Sequence, residues 1–276
     1  MVVLSLRLLG VFSVALEDGL ERRSVALSPR SAALLALLAL AGGRPVHRHA
    51  LLAALWPDDA RPGTAACLST ALWRLRKALA PWRAVHGEPI TGDAQGGLQL
   101  GDHAAIHVDV RAFLQLTGTA LSKPAARLDA AEAAALADAV ALHQGELLVG
   151  VSDDWARVER ERLRRRFIDT LLWLMRHAIA RDDLDEAIRR GRHALEIDPL
   201  REDIHRELMA CLLRRGQRAH ALRQFETCRT SLRDELAIAP MPETMALYRR
   251  VAAEALVPRA ANDDARTTLE DGVSPR

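Results

Sequence analysis

RPGTAACLSTALWRLRKAL, residues 61–79, is the stretch on which the reading of the whole chain turns. Set about 100° apart, its residues sort into two faces. Leu68, Leu72, Leu75 and Leu79 fall on one stripe, flanked by Ala71 and Ala78, while Ser69, Thr70, Trp73, Arg74 and Lys77 collect opposite, with Arg76 at the margin. The window 60–87 holds five fixed positive charges (Arg61, Arg74, Arg76, Lys77, Arg83) and no Asp or Glu, in a chain whose net charge is only +2. A helix of this build seats its leucines in a core and offers its other side to a polyanion. The expected partner is double-stranded DNA.

The surroundings supply a frame for that helix. Residues 2–27 read as short strands, VVLSLRLLG, then VFSVALE, a turn at Asp18-Gly19, and RRSVALS. Ser28 is then expected to cap a helix whose first position is Pro29, where the missing N–H would be idle. That helix, residues 29–41, is apolar nearly all round and stops at Gly42-Gly43. A second short helix, residues 47–56, ends before Pro57, and a loop leads into the basic helix. After Pro81 the segment EPITGDAQGGLQLGD reads as a Gly-punctuated hairpin. Strands, three helices and a hairpin, in that order, describe a winged helix-turn-helix with an N-terminal antiparallel sheet.

In such a module the basic helix enters a major groove. Arg74 and Thr70 are expected at base edges and Arg76 and Lys77 at phosphates, because an arginine fork suits guanine and backbone contacts fix register. Arg61 stands at the entry to the helix. The hairpin of residues 91–98 brings Thr91 or Gln95 toward the adjacent minor groove. Trp73 shares the wet face of the helix, where a tryptophan more often covers a neighbour than stacks on a base, so it is expected to pack on the wing or the preceding helix. The candidate DNA-contacting set is Arg61, Ser69, Thr70, Trp73, Arg74, Arg76, Lys77 and Thr91.

From about Asp109 the composition changes, and to residue 256 the chain is almost wholly helical, with breaks at 122–124, 143–154, Asp182-Asp183, Asp198-Pro199, Gly216 and Ala239-Pro240. A faint repeat runs through the last of these: Ala187-Ile188-Arg189 returns as Ala221-Leu222-Arg223, and Ala194 as Cys228, both at an offset of 34 residues. That is the tetratricopeptide period, and small residues at those places let paired helices approach. The expected division is therefore 1–108, a winged helix-turn-helix domain; 109–256, an all-α tetratricopeptide-like domain; and 257–276, a polar, disordered tail. The fold class is mainly α with a small β component.

Other chemistry is set aside on similar grounds. Three widely spaced cysteines without C-x-x-C give neither a disulfide frame nor a zinc site. His103 and His107 are four apart, yet the segment reads as linker or strand and lacks a third ligand. The run RVERERLRRR, residues 157–166, invites a second nucleic-acid patch, but Glu159 and Glu161 stand at helical spacing from Arg162, Arg164 and Arg165. It reads as a structural helix buried along Leu163, Phe167, Leu171 and Leu174. No nucleophile elbow, dinucleotide loop or paired-carboxylate context is present, so the expectation is a protein that is not an enzyme and needs no cofactor or metal. The longest oily stretch, residues 32–43, is too short for a membrane span of about 20 residues. A cytoplasmic location is expected.

These blocks together resemble a known family. LSPRSAALLALLALAGGRPVHRHALLAALWPDD, LSTALWRLRKAL, GGLQL and VDVRAF, followed by LHQGELL, DWARVERERL and the long segment from ALEIDPLRED to RDELAIAP, are similar to the bacterial SARP/AfsR-type regulators. The resemblance runs from about residue 4 to 256. It implies an OmpR-like winged helix followed by a bacterial transcriptional activation domain: a transcription factor, an activator that binds promoters directly and contacts RNA polymerase. Its helical domain would serve dimerisation, tandem binding on DNA, or contact with other partners. Carried onto this chain, it makes residues 63–79 the recognition helix, with Ser69, Thr70, Arg74 and Lys77 facing DNA. The chain departs from many relatives at His47, Arg48 and His49, where a Ser or Thr cap followed by an acid is usual, and in a wing poor in basic residues. It has no P-loop. The competing reading is a tetratricopeptide-like adaptor whose winged helix docks protein instead of DNA, and a third is a helical domain that binds a small effector.

Overall fold

The computed structural model describes residues 2–57 and 64–253, which form two compact units, up to Arg181 and from Asp182 onward. The first unit opens with β1 (Val2–Arg7), β2 (Ser13–Asp18) and β3 (Glu21–Ser24), antiparallel neighbours in the order β3-β2-β1. Leu4 pairs with Leu16 and Leu6 with Val14. Leu4, Leu6 and Leu8 alternate along the chain, and all three are buried, the first two in β1 and the third just beyond it.

Next comes the three-helix core: α1 (Pro29–Leu40), the two-residue β4 (Val46–His47), α2 (Arg48–Leu55) and α3 (Thr64–Ala78). Helix α1 packs on both α2 and α3. Gly42 and Gly43, both at positive φ, end α1 as its sequence anticipates. Ser28 departs from expectation. Its side chain makes no cap bond; its hydroxyl donates instead to Ser31 Oγ at 2.9 Å, and Ser31 donates to the Ala71 carbonyl of α3 at 3.1 Å. Ser28 still stands at the N-cap of α1, but its hydroxyl serves a serine pair that joins α1 to α3.

A seven-residue helix, α4 (Ala80–His86), follows at once and was not anticipated. Pro81 reads as a breaker, but in a first turn the absent N–H is no loss. The helix exists to bury Trp82, whose indole N–H donates to the Ala105 carbonyl at 3.4 Å and whose ring lies against His86 and His103. The wing is the hairpin β5 (Ile90–Gly92) and β6 (Gly97–Leu100), with β4 on the far side of β6.

The chain then returns to the first sheet. Strand β7 (Ile106–Val108) lies parallel to β1, pairing Ile106 with Leu4 and Val108 with Leu6. Asp109 begins α5 (Asp109–Gly118), and its carboxylate accepts from the backbone N–H groups of Leu8, Leu9 and Val110. Beyond it, the Leu8 carbonyl accepts from Leu148 N–H and the Gly10 carbonyl from Val149 N–H. The composition changes near Asp109, yet the compact unit runs on to Arg181, because one segment at the end of β1 is hydrogen-bonded on both sides. Helices α6 (Ala130–Leu142) and α7 (Asp154–Ala180) complete it. Asp129 and Glu132 form a reciprocal capping box on α6. In α7, Leu163, Phe167, Leu171 and Leu174 are the buried stripe, as expected.

The second unit is two helical hairpins: α8 (Leu184–Ile197) with α9 (Glu202–Arg214), then α10 (Arg218–Leu236) with α11 (Pro242–Ala253). The offset of 34 has a packing cause. Ala187, Ala221, Ala194 and Cys228 are all buried, on two helices, α8 and α10, that each pack against α9. The turns repeat as well: Asp182 and Gly216, again 34 apart, both hold positive φ. His205 is buried in α9, its Nδ1 2.7 Å from Gln224 Nε2 and its Nε2 3.0 Å from the Pro199 carbonyl, and burial holds its pKa below the usual imidazole range. No described helix is long and apolar enough to cross a membrane.

Candidate nucleic-acid interface

Helix α3 divides as its sequence requires. Leu68, Ala71, Leu72, Leu75 and Leu79 are buried against α1 and its neighbours. Ser69, Thr70, Trp73, Arg74 and Lys77 are exposed on the other side, so the structure brings these five candidates onto one surface. The hydroxyls of Ser69 and Thr70 donate to the carbonyls of Ala65 and Ala66, one turn back. Their lone pairs stay open to a donor such as a cytosine or adenine amino group. Arg74 has no ion-pair partner among the described residues.

Trp73 differs from expectation. It covers neither the wing nor the preceding helix but stands 61% exposed, with the Lys77 ammonium 5.2 Å from its ring centroid. The ring face and the cation together make a flat, positive platform. Arg76 differs too. Its guanidinium turns to Glu88, 3.3 Å away, and donates to the Ile90 carbonyl at 3.2 Å. Arg83 also pairs with Glu88 and donates to the Arg76 carbonyl. Glu88 lies one residue past the acid-free window, so two of the five positive charges are engaged by an acid the window excludes. Arg76 and Arg83 act as struts that fasten the end of α3 and α4 to the start of the wing.

The wing carries little charge. Its turn is built on Asp93, whose Oδ1 accepts from the N–H groups of Gln95 and Gly97 at 3.0 and 2.6 Å. A Cβ at Gly97 would come within 2.7 Å of that carboxylate, and Gly96 sits at φ +78°, so both glycines serve the turn. Thr91 is exposed on the hairpin, on a different element from the α3 face, and its hydroxyl accepts from Gln99 at 3.3 Å. Arg61 lies outside the described residues.

Residues from outside α3 share its surface. A groove of about 300 Å³ is lined by Thr70 and Arg74 of α3 together with Arg30 of α1 and Trp56 at the end of α2. Arg30 places its guanidinium 5.7 Å from the centroid of the Trp56 ring. Sequence reasoning passed over Arg30; the available signal was a cation in the first turn of a helix, where the dipole disfavours it. Among the described residues no group of three or more His, Cys, Asp or Glu could hold a metal ion, and His103 Nδ1 accepts from the Ala105 N–H.

Three helices, a wing and an exposed basic third helix define a winged helix-turn-helix protein with a helical partner domain. The comparisons agree. Residues 22–89 match the family described as transcriptional regulatory protein, C terminal, and residues 108–252 match the bacterial transcriptional activator domain. The chain is 32% identical over 237 residues to the regulatory protein AfsR of Streptomyces coelicolor, and 30% identical over 234 residues to AfsR of Streptomyces griseus. Each alignment covers 81% of this chain and 22% of the relative, so the chain spans about a fifth of their length. Mycobacterium tuberculosis EmbR, solved in complex with a low-affinity phosphopeptide, superposes with a TM-score of 0.76 at 22% identity, covering 92% of this chain and 66% of that one. That likeness concerns the fold. The chain belongs to the SARP/AfsR-type family of transcriptional regulators.

Proposed function

We propose that the chain binds double-stranded DNA with the outer face of α3 and activates transcription by contacting RNA polymerase. The observation that carries the reading is the arrangement on α3: Ser69, Thr70, Trp73, Arg74 and Lys77 exposed together, backed by buried leucines that hold the face rigid. Arg74 is the base-reading residue, with Thr70 beside it; Lys77 and Trp73 hold the sugar–phosphate backbone, and Thr91 reaches the neighbouring minor groove. Arg76, tied to Glu88, acts on phosphate only by exchanging that partner, and Arg61 supplies a further backbone contact.

In this reading residues 1–108 are the DNA-binding domain, and residues 109–256 form the surface for a second copy or a tandem neighbour on the DNA, and for the polymerase. The second module's local concentration would raise occupancy of paired sites. Such a protein works at the chromosome, in the cytoplasm, without a cofactor.

The test is binding of the full chain to mixed-sequence duplex fragments across a salt series. The expected result is a log–log slope of at least about −3, reflecting several released counterions. Flat or absent binding rejects the reading in favour of a protein-docking adaptor, a role that the glycine-rich wing, poor in basic residues, would suit.

A further inference from the structure

We propose that Arg30 is a DNA phosphate-contact residue held in reserve by Asp153, so that DNA binding is coupled to the start of α7. The inference rests on the DNA-binding reading of α3 and adds to it a residue and a switch outside that helix.

Arg30 sits where its helix disfavours it, and Asp153 leaves unused the cap that its own helix offers. Arg30 is the second residue of α1, whose first turn contains no acid, and a cation at a helix N-terminus opposes the dipole. Asp153 is the N-cap of α7, where an aspartate normally accepts an amide of the first turn, yet its side chain makes no cap bond. Instead its Oδ1 lies 3.7 Å from Arg30 Nη1, across 123 positions of chain, a separation too long for a hydrogen bond. The pair is loose and half open to solvent, the side chains being 49% and 30% exposed.

The location decides what replaces Asp153. Arg30 lines the same groove as Thr70 and Arg74, the two residues of α3 assigned to base edges, with its guanidinium 5.7 Å from the centroid of the Trp56 ring, which lines it too. A DNA strand passing α3 therefore brings a phosphate to this groove. A phosphate oxygen offers a planar guanidinium a closer, charge-assisted pair than the present contact. It also repels the Asp153 carboxylate. That carboxylate has an alternative at hand, the side-chain cap bond of α7 that it does not make at present, so the exchange leaves each group a partner. Helix α7 runs 27 residues through the helical part of the unit, which gives the exchange a path away from the DNA. Reciprocity follows: whatever fixes the Asp153 cap frees Arg30 and tightens DNA binding.

The experiment uses the full chain and mixed-sequence duplex, with a salt series for the wild type, Arg30→Gln, Arg30→Lys, Asp153→Asn and the Arg30→Gln/Asp153→Asn pair. Arg30→Gln is expected to weaken binding about three- to tenfold near 0.1 M salt and to make the slope shallower by about one. Arg30→Lys should restore the slope, since phosphate accepts a point charge. Asp153→Asn should tighten binding a few-fold in the wild-type background and not at all with Arg30→Gln. Equal slopes for wild type and a folded Arg30→Gln would overturn the proposal while leaving the DNA reading intact, as would an Asp153→Asn gain that survives the loss of Arg30. A wild type that shows no salt-dependent binding removes both.

Discussion

Helices α3 and α7 both carry arginine, two in 15 residues and seven in 27, and mean different things. In α7 the acids are local: Glu159 pairs with Arg162 at 3.3 Å, and Glu161 with Arg164 and Arg165 at 3.6 and 2.8 Å, all within one turn. These pairs neutralise much of the helix's field, and the sequence alone shows that they will. In α3 no acid lies on the helix, and the one that matters, Glu88, comes from beyond α4 and takes only the edge residue Arg76 together with Arg83. Arg74 and Lys77 are left facing outward. A charge count along a chain therefore predicts a field only when the partners are counted in space.

That contrast can be broken at several points. The largest effect is expected from Leu75→Ala, which opens a cavity behind the α3 face and should lower unfolding stability by about 2–5 kcal/mol in a denaturant titration. A loss below 1 kcal/mol would mean the leucine stripe does not hold the face in place. Next is Arg74→Ala, expected to cost about 1–3 kcal/mol of specific DNA binding and to relax preference at one base position. Selection from a random duplex library at fixed salt reads both, and an unchanged preference would move base recognition elsewhere on α3.

A smaller change, of opposite sign, is expected from Glu88→Gln. Releasing Arg76 and Arg83 should cost at most about 1 kcal/mol of stability, since these pairs are more than a third exposed. The same change should steepen the salt dependence of DNA binding by about one unit of log–log slope. An unaltered slope would keep Arg76 as a strut even when free. Smallest of all is Arg165→Ala in α7, where DNA affinity should stay within about twofold, because an exposed pair one turn apart contributes little. A loss as large as that of Arg74→Ala would erase the distinction between the two helices.

Periodic features were legible in the chain. The leucine stripe of α3, the strand alternation at Leu4 and Leu6, the buried face of α7 and the 34-residue offset all express one element packing against its neighbours, and periodicity encodes that directly. Features set by contact across the fold were not legible. Pro81 looked like an end and is the beginning of α4, because its position within a turn, not its identity, decides the matter. Ser28 carries the signature of a cap, but the nearer partner was Ser31. Trp73 carries the signature of a covered ring, yet it stands 61% exposed with the Lys77 ammonium 5.2 Å from its ring centroid. The pairing of Arg76 with Glu88 depends on where α4 turns the chain back, which no local pattern around either residue contains.

The anchoring of Leu8 and Leu9 by a carboxylate 101 and 100 positions downstream bears on the order in which the molecule is made. On a ribosome, β1 emerges first and can zip to β2 immediately, but its other edge stays bare until Asp109 has cleared the exit tunnel. Closing so long a loop is slow, and an open strand edge is a template for the wrong chain. The nascent N-terminal third is thus at its most vulnerable just before the helical region arrives to seal it.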